Sequence, residues 1–376
     1  MEKTALKRNY GIDLLRIVCM IMIPVLHVLG HGGILEGAEV LSARYEVAWF
    51  FETAAFCAVN CYALISGYVY YGAKKRYANL MMLYLQVFFY IASISILYAV
   101  LRPGKLDIAD AMKQALFSFV IEPYWTYWYV KAYFCLFLFM PFLDLILDKF
   151  DKITLQRFLF VIFLVCSVLP TVFRSDYVKL DRGYSFVWLA ILYLVGAYIK
   201  KYGLWNNIKN WTNLLGYFLC VVISWGIKFA VNTVQNNHSI KIPDENYIIR
   251  YNSPTIFLCA LFLFMFFLNL KIKPQMIKFI KFFAPASFGV YLLHEEPLVR
   301  DKLITGTFAS YLNMPIWLMV LAVLGTAVLI WLGGSLIDRV RIFFFDLFKI
   351  KRCCIRIEDS ISKIFNKGSK NTERRY

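Results

Sequence analysis

The sequence is poor in the residues that a water-exposed surface needs. Only 17% of its 376 residues are charged, against 60% hydrophobic, whereas soluble domains run at about 25% charged and roughly 45–50% apolar. That shortage excludes a disordered chain and argues against a pair of soluble domains, although the length would accommodate two. Acidic side chains are scarcer than basic ones, 24 Asp and Glu against 41 Lys and Arg, a net charge of +17. Internal repeats and low-complexity tracts are lacking, as is any paired-cysteine spacing of a zinc site. Seven of the nine cysteines (Cys19, Cys57, Cys61, Cys135, Cys166, Cys220 and Cys259) fall within apolar runs, where the thiol acts as a small apolar group.

What the chain does have is ten long apolar runs. They are Ile12–Leu29, Phe50–Tyr70, Leu80–Leu101, Tyr127–Leu147, Phe158–Phe173, Tyr184–Ile199, Trp211–Val231, Thr255–Leu270, Phe282–Val299 and Pro315–Ile337. A helix needs about 20 apolar residues to cross roughly 30 Å of hydrocarbon, and runs of this kind are unlike the short alternating strands of a membrane barrel. The expected fold is therefore all-α: a polytopic membrane bundle of about ten transmembrane helices over residues 1–337, followed by a basic tail over 338–376.

The connecting segments differ in charge. Residues 1–11, 72–79, 148–157, 200–210, 271–281 and the tail carry 27 Lys and Arg, while the alternate set carries 12. By the positive-inside rule both termini are expected in the cytoplasm. The basic excess is then an orientation signal, and no nucleic-acid partner is expected. Lys3, Lys7 and Arg8 before an apolar run imitate a signal peptide. That run contains Asp13 and Arg16 and lacks a small-residue cleavage site, so it is read as a retained first helix. The tail mixes Arg339, Arg341, Lys349, Lys351 and Arg352 with Ile342–Phe345, a composition that suits either an amphipathic helix on anionic lipid or a solvated basic tail.

Ionisable groups inside spans are costly and mark function by default. Asp13, Arg16 and His27 lie in the first helix, with His31 just past it. At about 100° per residue, Arg16 and His27 return to nearly one face, roughly 16 Å apart along the axis. Asp13 is read as a structural ion pair with Arg16. His27 and His31 have helical metal-ligand spacing, but no third ligand is placed by the sequence, and no metal is expected. His294 and Glu295, at the far end of the ninth run, should reach the depth of His27. Trp128 and Tyr129 open the fourth run with Lys131 one turn in, as an interfacial belt or a sugar-stacking platform. Glu52 falls in the outer part of the second run. Ser66 and Gly67 near its inner end permit close helix approach, just before the basic run Lys74, Lys75 and Arg76.

The chain at this point resembles the ten-helix membrane acyltransferases of the acyltransferase-3 type, which include bacterial enzymes that O-acetylate surface polysaccharides. The resemblance covers residues 9 to about 337. It is carried by Arg16 and His27 as Arg-x10-His, by Ser66-Gly67-Tyr68, by Trp128-Tyr129 with Pro141, and by FGVYLLHEEPLVR over 288–300. Glu296 stands where the family often has Asn. No esterase-like domain follows, so a single-module form is expected.

The resemblance implies a membrane acyltransferase, a multi-pass protein of a bacterial inner membrane. Acetyl-CoA or another short acyl-CoA would be the co-substrate, with no resident cofactor, and a surface carbohydrate hydroxyl the acceptor. His27 would be the catalytic histidine and Arg16 the arginine at the donor end. The residues themselves fit such chemistry. Histidine suits proton removal near neutral pH, and Glu295 or another outer carboxylate could orient it, with His294 alongside. Arg16, Lys74, Lys75 and Arg76, with Ser66, form the expected donor side; Trp128, Tyr129, Lys131 and Tyr291 are candidates for acceptor binding or the oxyanion. Direct transfer and an acyl-histidine intermediate both stay open. The competing readings are a transporter or flippase for lipid-linked saccharides, which would use the buried charges as gates or relays, a polysaccharide polymerase, and a non-enzymatic scaffold.

Overall fold

The computed structural model describes residues 8–117, 127–205, 208–238 and 246–373. Each of the ten apolar runs is helical. We number these helices α1 (Tyr10–Leu29), α2 (Ala43–Tyr70, interrupted at Cys57), α3 (Ala78–Leu101), α4 (Trp128–Lys149), α5 (Lys152–Val172), α6 (Phe186–Tyr202), α7 (Asn210–His238), α8 (Pro254–Leu268), α9 (Pro274–His294, with a 3₁₀ turn at Ala284–Ala286) and α10 (Ile316–Leu347). No strand occurs among the described residues. Eight of the ten helices are long and apolar enough to cross a membrane, so the chain is a multi-pass membrane protein with an all-α fold.

The other two, α6 and α8, have 17 and 15 residues. At 1.5 Å per residue they extend about 26 and 22 Å, less than the hydrocarbon thickness. Both are interior helices; Trp188, Leu189, Leu192, Tyr193, Ile256 and Phe264 are fully buried. The chain before α8 is irregular, and side chains tie it to the neighbouring helices. Asn60 Nδ2 donates to the Tyr251 carbonyl at 2.7 Å, and Asn252 Nδ2 to the Cys166 carbonyl at 3.1 Å. Non-helical backbone at membrane depth is tolerated only where protein or cavity polar groups meet it in this way.

The first helix is the axis of the bundle. It packs against α2, α8, α9 and α10, and 67% of its apolar window is buried, against 22% for α5 and for α10. The last two are rim helices whose exposed leucines, valines and phenylalanines suit a lipid solvent. Asn9 caps α1 by accepting from the Ile12 N–H at 3.2 Å, the ordinary role of such a residue at a helix start. The α2–α6 contact depends on two glycines: a Cβ at Gly67 would overlap the Tyr193 carbonyl, and one at Gly196 would overlap that of Leu64. Small residues bring backbones together where no hydrophobic force between lipid-bathed helices can do so.

The boundary expected at residue 337 has no structural break, because α10 continues to Leu347. A turn follows in which Lys349 takes a left-handed φ of 53°. The tail then forms one more helix, α11 (Ile350–Glu373), laid against α3.

Candidate active site

The site is built around α1. Its Arg16 end is a wide cavity of about 1630 Å³, open mouth included, lined by Arg8, Asp13, Arg16, Ser66, Gln86 and Lys351 among others. Its His27 end is a second open cavity of about 1180 Å³, lined by His27, His31, Glu52, Lys131, Glu295 and Arg300 together with aromatic rings. Between them is a narrower, mostly apolar space of about 470 Å³. That space shares Tyr62, Tyr129 and Phe288 with the first cavity, and Leu26, His27, Trp128, Tyr251 and Tyr291 with the second. The three spaces therefore form a series along the helix, with His27 at the junction of the neck and the second cavity.

At that junction the sequence-distant ends of α1 and α9 meet. The His27 Nδ1 lies 2.9 Å from His294 Nε2 and 3.1 Å from Glu295 Oε1. His294 Nδ1 is 2.5 Å from the Val290 carbonyl one turn back. A carbonyl only accepts, so His294 carries its proton on Nδ1 and presents a bare Nε2. His27 Nδ1 must then be the donor to His294, with the Glu295 carboxylate facing it at 3.1 Å. A neutral imidazole has one proton, which leaves the lone pair of His27 on Nε2, the nitrogen with no protein partner among the described residues. The arrangement thus fixes the tautomer of His27 and leaves its Nε2 lone pair able to take a proton.

Glu295 is buried, and two more side chains face it. His31 Nε2 approaches Oε1 at 3.4 Å, and Arg300 Nη1 approaches Oε2 at 3.5 Å. Partial burial works against the charge on Arg300, but the carboxylates of Asp301 and Glu295 outweigh it and hold its pKa above the ordinary arginine value. Glu296, the departure from the family pattern, caps the short helix Pro297–Val299 by accepting from the N–H groups of Leu298 and Val299 at 2.8 and 3.2 Å. His27, His31 and Glu295 bring three ligand atoms within 4.8 Å of one another. These are the donor types of a metal site.

The aromatics of the fourth run line the path. Trp128 stacks on Tyr251 with ring centroids 5.6 Å apart, Tyr251 on Phe56 at 4.7 Å, and Tyr184 lies 4.6 Å from Trp128. All four line the second cavity. Tyr129 and Tyr291 face each other at 6.3 Å across the neck. Glu52, also on the second cavity, is buried, and its Oε2 has no hydrogen-bond partner. Lys131 is exposed at the same cavity.

The Arg16 end differs in detail from the expectation. Asp13 is indeed beside Arg16, Oδ1 to Nη1 2.8 Å, but its other oxygen takes Arg8 at 2.5 Å. Ser66 lines this cavity and donates to the Tyr62 carbonyl at 2.9 Å. The basic run is placed elsewhere. Lys75 is paired with the buried Asp144, Arg76 faces Glu358 and Asp359 at 4.0 and 3.7 Å, and Lys74 is exposed; none of the three lines the cavity. Arg8 and Lys351 supply its positive charge beside Arg16. Tyr62, Tyr184, Tyr251 and Lys351 are lining residues that the sequence reading did not single out. Arg300 lay inside the 288–300 motif, and its spacing of five from Glu295 was the available signal.

A polytopic helical bundle that holds a histidine of fixed tautomer where a narrow apolar space meets an open cavity has the parts of a membrane-embedded catalytic site. The family comparison agrees: a family model described as an acyltransferase domain, that of acyltransferase family 3, matches residues 9–334. The chain belongs to that family and is a membrane acyltransferase. Neither curated proteins nor solved structures give a match.

Proposed function

We propose that the protein moves an acetyl or other short acyl group from acyl-CoA, held at the Arg16 end, to a hydroxyl of a carbohydrate held at the His27 end. The observation that carries this reading is the series of three cavities along α1, charged at one end, narrow and apolar in the middle, and carboxylate- and aromatic-lined at the other. Phosphates of coenzyme A fit Arg8 and Arg16, whose guanidinium groups suit bidentate phosphate contacts. The apolar neck fits the acyl-bearing arm of the donor, which has about 16 Å to cover from Arg16 to His27. On the acceptor side, rings that pair an apolar face with a hydroxyl or indole N–H suit a sugar, and the unpartnered Glu52 oxygen is a ready acceptor for a sugar hydroxyl.

In the reaction, His27 Nε2 takes the proton of the sugar hydroxyl as that oxygen attacks the thioester carbonyl. The carbon–sulfur bond then breaks, and the thiolate leaves with the proton from Nε2. The imidazolium formed in between is faced by Glu295, as a carboxylate faces the histidine in hydrolytic triads. Tyr129 and Tyr291, which line the neck, are the candidate hydroxyls for the developing oxyanion. The positive-inside distribution of charge supports a cytoplasmic side for both termini and the Arg16 cavity, where acyl-CoA is available, and the family resemblance supports a bacterial inner membrane.

Mass spectrometry of the host's surface glycans tests this. Cells with the wild-type protein should carry an acyl group that cells with His27→Ala lack, at least 100-fold down, while His27→Ala protein is inserted at the wild-type level. An unchanged glycan would remove the catalytic assignment. Loss of an unmodified saccharide from the surface would favour a flippase instead.

A further inference from the structure

Two residues lining the Arg16 cavity fall outside the family match, Arg8 one residue before it and Lys351 well beyond it. Lys351 lies in the first turn of α11, 17 residues beyond the family match at 334, yet it lines the cavity with Arg8 and Arg16. Its place is the product of several independent contacts. Lys349, in the left-handed region at φ 53°, reverses the chain after α10. Glu358 on α11 then accepts from the N–H groups of Tyr77 and Ala78 at 3.1 and 3.4 Å. Those are groups at the start of α3, where the unsatisfied N–H groups and the helix dipole favour a carboxylate. Arg76 faces Glu358 and Asp359 from the same turn. Cys354, one turn after Lys351, is buried in the contact. The tail helix is thus fastened to α3 at Glu358, two turns from the residue that reaches the cavity.

The Lys351 side chain is itself exposed and makes no ion pair with a described residue, while the two arginines beside it differ. Arg8 and Arg16 both spend donors on Asp13. We propose that α11 is a wall of the donor site, with Lys351 contacting a phosphate of the acyl-CoA and Glu358 positioning it. The inference rests on the acyl-CoA reading above. The chemistry recognised is a phosphate anion, which an anionic lipid headgroup also offers; the walls that the cavity shares with the neck beside His27 are what assign it to the donor.

The test uses full-length protein in phosphatidylcholine nanodiscs with coenzyme A as the probe, read by calorimetry, and a transfer assay for kcat and KM. Lys351→Glu should weaken CoA binding roughly ten-fold, as loss and reversal of one charged hydrogen bond predicts, and raise KM for the donor with kcat unchanged. Lys351→Arg should restore both. Glu358→Gln should give a smaller rise in KM, again without a change in kcat. Replacing part of the phosphatidylcholine by phosphatidylglycerol should leave CoA affinity unchanged; competition by the anionic lipid, relieved in Lys351→Glu, would overturn the assignment in favour of a lipid site. CoA affinity unchanged in Lys351→Glu would overturn this inference alone. A wild-type protein that bound no CoA would overturn the acyl-CoA reading as well.

Discussion

Two of the buried clusters of ionisable side chains, those around Asp338 and Glu295, are assembled differently. Around Asp338 the pairing is closed. Arg341 meets both carboxylate oxygens, Nε to Oδ1 at 2.6 Å and Nη2 to Oδ2 at 2.9 Å, and the Tyr90 hydroxyl donates at 2.7 Å. Asp338 is fully buried, and a Cβ at Gly289 would overlap its carboxylate. Around Glu295 the pairing is loose and shared. Two imidazoles and one guanidinium lie at 3.1, 3.4 and 3.5 Å, and His27 keeps an unpartnered nitrogen while lining two cavities. Burial of charge does not separate a structural cluster from a reactive one. Spare hydrogen-bonding capacity beside a cavity does.

The largest effect should come from opening the closed cluster. Asp338→Ala leaves Arg341 buried without its partner, a loss of about 3–5 kcal/mol, so thermal unfolding in detergent should begin well below the wild type and little protein should be recovered. A wild-type melting temperature would mean that the two clusters are not energetically distinct. Glu295→Gln comes next. It keeps the shape but removes the charge that faces the imidazolium, and kcat should fall by roughly 10²-fold with donor KM and the melting temperature little changed. If stability fell instead, Glu295 would belong with Asp338 as a structural residue. Arg16→Ala should raise the donor KM by about ten-fold and leave kcat within a few-fold, because Arg8 and Lys351 remain. Unaltered donor affinity in a direct binding assay would return Arg16 to a purely structural pairing with Asp13. The smallest effect is expected from EDTA, which should leave transfer unchanged. A loss of activity restored by a divalent ion would turn His27, His31 and Glu295 into a ligand set.

Much of this architecture was legible in the sequence because the bilayer imposes a length and a polarity on each helix. The ten runs could be read as apolar segments, and α6 and α8 could not be told from full spans, since composition reports apolarity and not the place where a helix stops. The Arg16–His27 stripe followed from the helical period alone. The basic run Lys74, Lys75 and Arg76 was legible only as charge. Its partners, Asp144 on α4 and Glu358 and Asp359 on α11, are 69 or more residues away, and no local pattern announces them. Trp128 had two readings of equal weight, belt or platform. Its stacking on Tyr251, which comes from the irregular segment before α8, turned it toward the cavity.

By itself, then, the sequence determined the solvent of this protein, its helices, and the one face of α1 that carries an arginine and a histidine. Those are properties of period, length and charge along a chain. The tertiary structure alone decided which nitrogen of His27 keeps its lone pair, because the proton is placed by His294 and Val290 some 260 residues downstream. It also decided which cations serve the Arg16 cavity, bringing in Lys351 and leaving Lys74 outside. Tautomers and charge pairs are settled by contacts a few ångströms long, and only the folded chain brings such distant residues to that range.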